Sequence, residues 1–120
     1  DMVANVDLAA TILDFAGVNS KLKTQGNSLV PYVKTGKSPF KREALLIEHL
    51  WDFEPIPSSE GIRTEKWKFM RYRDIKVQDE LYDLVSDPEE LNNLASHPEH
   101  ANVVIEMEKK LEQNIAKYTQ

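Results

Sequence analysis

Apolar positions along this 120-residue chain change period from segment to segment, and each period predicts an element. Residues 5–16 are apolar nearly all round. Their polar members Asp7, Thr11 and Asp14 recur at i, i+4 and i+7 as one narrow stripe, which predicts a helix stopped by Gly17. A helix that apolar is expected to be covered on most sides, more than a small domain can manage alone. Ser28 can cap a short helix over 29–34 that ends at Gly36. Residues 43–50 carry apolar side chains on both parities between breakers and read as a strand covered on both faces.

The loop over 51–60 is followed by strand-like runs at 61–64 and 67–73, which can pair through a tight turn at Glu65-Lys66, and a last strand covers 81–84. Asp87, Pro88 and Glu90 have the chemistry of a helix start with a capping box. Pro98 opens the last helix, whose Val104, Met107, Leu111, Ile115 and Tyr118 make a packing stripe. The order predicts an α+β fold, a small antiparallel sheet of about four strands packed with a long C-terminal helix and preceded by the apolar helix.

Composition narrows the classes. An apolar fraction of 41% and a charged fraction of 29% are those of a globular domain, and a net charge of −5 argues against a nucleic-acid partner. No apolar run approaches the length of a membrane span. With no Cys, thiolate catalysis, disulfides and Cys-based zinc sites are excluded. Residues 63–76 are locally basic and 78–112 mainly acidic, so cross-strand pairing of Arg63, Lys68 and Arg71 with acids competes with recognition of an anionic ligand.

Catalytic and metal-binding patterns are weak. Ser58 and Ser59 beside Glu60 lie in a loop and not on a strand–turn–helix elbow. His97 and His100, three apart, could share one side of a helix start, but such residues more often cap or solvate a helix. Asp83, Asp87, Glu89 and Glu90 lack the spacing of a calcium loop. The most informative polar pair is Glu48-His49, which ends the 43–50 strand with side chains on opposite faces, next to Trp51 and Phe53. One reading is a strand emerging into solvent. The other is a sugar-binding cleft, with aromatic rings stacking on sugar faces and acid and imidazole bonding hydroxyls.

Four ordered motifs carry a resemblance. Val3 to Gly17 is similar to a V-s-x-V-D-L-a-P-T-l-L-d-l-A-G segment, with Ala10 in place of the Pro. Gln25-Gly26-Asn27-Ser28-Leu29 matches Q-G-x-S-L. Gly61 to Phe69 matches G-v-R-T-x-r-y-K-l. Leu81 to Ala95 matches L-Y-D-L-x-x-D-P-x-E-x-x-N-L-A. Together they resemble the C-terminal region of a sulfatase of the formylglycine-dependent type, in the alkaline-phosphatase superfamily. Ser38-Pro39-Phe40-Lys41-Arg42 resembles that family's maturation site but has its Pro one place early, and reads as a loop.

The resemblance implies a fragment. Residues 1–40 would be the tail end of the large catalytic domain and 41–120 the C-terminal subdomain. The parent would hydrolyse sulfate esters of a glycan, using a formylglycine nucleophile and calcium whose residues do not map onto this chain, so the chain alone should be inactive. Its partners would be the rest of the catalytic domain and a sulfated carbohydrate, its location periplasmic or extracellular, and its uncovered helix would promote self-association. Substrate contacts are expected at Glu48, His49, Trp51 and Arg63. A fragment of a related phosphodiesterase or phosphonate hydrolase, or a free-standing carbohydrate- or protein-binding module, remain the alternatives.

Overall fold

A computed structural model describes residues 2–18, 24–38, 40–51, 56–73 and 76–118. Two compact units divide the chain, Asp1–Glu43 and Ala44–Gln120.

In the first unit, α1 (Val6–Phe15) turns its polar stripe inward. Asp7 is fully buried and accepts the backbone N–H groups of Ala4 and Asn27 at 2.8 and 2.9 Å. Thr11 Oγ1 accepts the Leu29 N–H at 3.0 Å, and the Ser28 hydroxyl donates to Asp14. The stripe therefore holds the 24–30 segment, which leaves Val6, Leu8, Ile12 and Phe15 between 44% and 67% exposed. That inverts the usual amphipathic arrangement, and the covering expected for this helix is not supplied by the described residues.

Gly17, at φ +64°, closes α1 with bonds from its own N–H to Asp14 and from the Val18 N–H to Leu13. The second helix, α2 (Val30–Thr35), begins one residue later than the pattern predicts, because Leu29 takes the cap position. Ser28 still contributes, its hydroxyl accepting the Val30 N–H at 3.2 Å. Gly36 in the left-handed region ends the helix.

The second unit is a four-stranded antiparallel sheet in chain order: β1 (Leu45–His49), β2 (Ser59–Arg63), β3 (Trp67–Tyr72) and β4 (Glu80–Asp83). The helix α3 (Ala101–Tyr118) packs on one face. Strand alternation sends Leu46, Ile62, Phe69 and Leu81 to that face, and the register stacks them in one row. There they meet Met107 and Leu111 in a core whose fully buried side chains each contribute about 2 kcal/mol by leaving water. Val104 and Ile115 pack against it as the helical spacing predicts, whereas Tyr118 lies outside.

The β2–β3 connection at Glu65-Lys66 has no positive φ, so it is not one of the primed hairpin turns. Thr64 compensates: its Oγ1 accepts the Trp67 N–H at 2.9 Å, and its own N–H bonds the Trp67 carbonyl at 2.8 Å.

One prediction fails clearly. No helix starts at Asp87. Its carboxylate accepts the Leu91 and Asn92 N–H groups and shapes a loop, while Glu90 sits at φ +58° and pairs with Lys68 across from β3. Capping chemistry and loop chemistry use the same carboxylate-to-N–H bond, and here the loop wins because the chain must return along the edge of β4. Asn93 makes that return. Its side-chain oxygen accepts the Leu81 N–H at 3.0 Å and its NH2 donates to the Asp79 carbonyl at 3.0 Å, which mimics a fifth strand. Helix begins only at Pro98, as a short 3-10 turn running into α3.

Candidate functional site

The cleft candidates fall around the β1 end of the sheet, with one exception. Glu48 lies opposite Glu60 in the register and His49 opposite Ser59, so the two side chains point to opposite faces as their adjacency predicts. Glu48 shares the α3-facing side with Leu46, and His49 shares the other with Leu45 and Ile47. Trp51 stands two residues beyond the strand end and is 74% exposed. Phe53 belongs to a segment outside the described residues.

Arg63 is the exception. It pairs with Leu45 at the start of β1, four residues along β2 from Ser59, or roughly 13 Å at the rise of a strand. The four candidates therefore do not converge on one point. Arg63 is also exposed, and among the described residues it forms no ion pair.

Most of the basic stretch is consumed by acids. Lys68 pairs with Glu90, and Lys66 approaches Asp83 at 3.8 Å. Arg71 bridges Glu60 at 3.0 Å and Glu112 of α3 at 2.6 Å, while Arg73 holds the second oxygen of Glu60 at 2.9 Å. The carboxylate of Glu60 is buried, and the bonds from Arg73 first and Arg71 second outweigh burial and hold its pKa below the ordinary value. On the opposite face, burial and the bond to Glu80 push the Tyr72 phenol up to about 12, so it stays a neutral donor.

This Glu60-centred network escaped the motif reading because the strand was expected to start at Gly61. With β2 beginning at Ser59, alternation puts Glu60 on the face of Ile62, and the same rule puts Arg71 with Phe69. That signal was present in the sequence.

Two buried polar side-chain atoms among the described residues have no hydrogen-bond partner, His49 Nε2 and Ser58 Oγ. Both lie at the same end of the β1–β2 pair. Ser58 and Ser59 are buried, and among the described residues neither hydroxyl donates to a general base.

The other motifs have structural roles. Arg42 of the 38–42 run forms a bidentate pair with Asp7, and Ser38 bonds the backbone of Phe40. His97 meets Glu99 at 3.4 Å, and His100 sets its ring edge-on to Trp67. Among the described residues no group of three or more His, Asp or Glu could hold a metal ion. No helix among the described residues is long and apolar enough to cross a membrane.

Comparison with known proteins places this geometry. The family described as N-sulphoglucosamine sulphohydrolase, C-terminal, matches residues 1–117. An N-acetylglucosamine-6-O-sulfatase of Bacteroides thetaiotaomicron is 33% identical over 118 residues, covering 95% of this chain and 21% of that protein. A solved structure of a protein in complex with its substrate, D-glucosamine-2-N,6-O-disulfate, superposes with a TM-score of 0.80 at 31% identity, over 96% of this chain and 24% of the other. The phosphonate monoester hydrolase of Agrobacterium radiobacter superposes with a TM-score of 0.74 at 25% identity, over 92% of this chain and 24% of its own. The chain thus spans about a fifth of the length of the curated relatives it matches.

Proposed function

As the chain belongs to the N-sulphoglucosamine sulphohydrolase C-terminal family of sulfatases, we propose that it forms the C-terminal part of an enzyme hydrolysing sulfate esters of a sulfated glycan. The observation that carries this reading is the ordered match over residues 1–117, to relatives of which it makes up only about a fifth. The substrate class is a sulfated glucosamine unit, supported by the sugars in the names of the first relative and of the superposed complex.

In this reading residues 1–40 close the catalytic domain and residues 41–120 form the subdomain. Formylglycine and calcium are supplied by the rest of the enzyme, and the location is periplasmic or extracellular. The outward apolar side chains of α1 are covered by that same catalytic body. This favours a fragment over a free-standing module, because a module that exposes Ile12 and Phe15 would associate with itself. Glu48, His49 and Trp51 contact the sugar from the β1 end, with Trp51 as a stacking surface, and Arg63 makes any contact at a separate position. A phosphonate monoester hydrolase parent is the second reading, favoured only by the likeness of the fold.

The test is an assay of the chain joined to the coding sequence that precedes it. Release of sulfate from a 6-O-sulfated glucosamine is expected, and hydrolysis of a phosphonate monoester in its place overturns the reading. The chain alone with calcium should turn over no aryl sulfate, and turnover by it overturns the fragment assignment.

A further inference from the structure

The register that separates Arg63 from the β1 end brings a different arginine to it. Arg73 follows β3 directly, and its backbone N–H bonds the Ser58 carbonyl at 3.0 Å, one step beyond the Ser59–Tyr72 pair. Ser59 in turn lies opposite His49. Arg73 is therefore two strand spacings from β1, about 10 Å, at the same end of the sheet. Its contact with Glu60 puts its side chain on the face that also carries Glu48.

The guanidinium is held ready rather than consumed. One terminal nitrogen of Arg73 bonds Glu60 Oε1 at 2.9 Å, and the side chain is still 57% exposed. Glu60 is itself fixed by Arg71, which is tied to Glu112 on α3. A guanidinium anchored through one edge keeps further N–H donors for a planar or tetrahedral anion, and ordering it beforehand lowers the entropic cost of binding.

A second observation marks the same end. Ser58, whose carbonyl accepts the Arg73 N–H, carries one of the two unpartnered buried polar atoms, its Oγ. The other, His49 Nε2, is at this end but on the opposite face, whereas the turn at the other end is satisfied by Thr64 and Trp67. The unmet hydrogen-bond capacity of Ser58 leaves room beside Arg73 for a water or a polar group from outside these residues.

Resting on the reading of this chain as part of a glycan sulfatase, we infer that Arg73, positioned by Glu60, binds an anionic substituent of the glycan, a carboxylate or sulfate on the sugar next to the one being desulfated. Arg73 is a specificity residue and Glu60 a positioning residue. Neither takes part in breaking the ester.

The experiment uses the full-length enzyme. KM and kcat are measured for 6-O-sulfated glucosamine linked to a neutral, a carboxylated or a sulfated neighbouring sugar, and for 4-nitrophenyl sulfate. The wild type should favour an anionic neighbour over the neutral one. Arg73→Ala should raise KM for that disaccharide by about tenfold or more, the value of one charge-assisted hydrogen bond. It should do so at unchanged kcat and remove the preference, with Arg73→Lys restoring part of it. Glu60→Gln should move KM in the same direction, and Lys66→Ala, a charge loss at the opposite end, should not.

Equal KM values for neutral and anionic neighbours in the wild type overturn the inference even if the variants fail to fold. A uniform loss on every substrate with Arg73→Ala also overturns it. A wild-type enzyme that hydrolyses none of the sulfate esters instead refutes the sulfatase reading beneath it.

Discussion

Arg42 meets Asp7 through two hydrogen bonds, 2.8 Å from Nη1 and 2.7 Å from Nη2, and the carboxylate between them is fully buried in the first turn of α1. The same guanidinium donates to the Met2 carbonyl at 3.0 Å, so residues 2, 7, 27 and 42 are tied to one point. This ion pair makes possible a helix whose polar side faces inward, because the buried charge is paired and both carboxylate oxygens are bonded.

The pair sets an acid limit on the first unit. The bond to Arg42 is the largest cause of a shift that takes Asp7 from 3.8 to about 2, against the opposing effect of burial. The group binds its proton more weakly when folded, so its stabilising effect is complete above about pH 4 and is lost as the pH falls through 2. The difference is worth about 2 kcal/mol. A titration of Asp7 followed by NMR should place its midpoint well below that of an unperturbed Asp. Asp7→Ala should cost more, about 3–5 kcal/mol, because Arg42 loses its bidentate carboxylate and the Ala4 and Asn27 N–H groups lose their acceptor.

Two glycines of the first unit should respond differently to alanine. A Cβ on Gly26 would lie 2.0 Å from the Val6 carbonyl oxygen, a backbone atom that cannot rotate away. Gly17 has φ +64° and nothing within 4 Å of the added carbon. Gly17→Ala should therefore cost only about 1 kcal/mol for the left-handed backbone. Gly26→Ala should exceed that and separate the 24–30 segment from α1. Denaturant melts of the two variants, with amide exchange at Asn27 and Leu29, check the order.

Asn93 protects the outer edge of β4. Asn93→Ala removes the acceptor for Leu81 and Ala95 and the donor to Asp79, at an expected cost of about 2–3 kcal/mol. Asn93→Asp keeps the acceptor and should cost less. Hydrogen exchange at the Leu81 amide is the direct readout, and unchanged protection in Asn93→Ala would contradict the strand-mimic role.

Glu60 gives the second unit its own pH dependence. Its pKa is lowered by Arg73 and Arg71, so the stabilisation is present above the ordinary 4.5 and fades below it as the carboxylate protonates. Acid unfolding of Glu60→Gln should show a weaker dependence on pH in that range than the wild type.

Much of the architecture could be read from periodicity. The α3 stripe of Met107, Leu111 and Ile115, the four strands and the Gly17 and Gly36 stops all follow from local spacing and backbone sterics, which act between residues close in the chain. Family membership was legible too, since short motifs in order survive without knowledge of any contact. The loop at Asp87 was misread because one residue type serves two local structures with the same hydrogen bond.

Neighbours in space were not legible in this way. Adjacency in sequence placed Glu48 and His49 on opposite faces correctly, but only the strand register could remove Arg63 from their company and bring Arg73 into it. Register depends on where β2 begins, and that depends on pairing between residues far apart in the chain. Local pattern thus defines the elements and the family. Which charges meet Glu60, and which side of α1 faces inward, follow from long-range contacts such as Arg42 with Asp7, 35 residues apart, that exist only once the chain has folded.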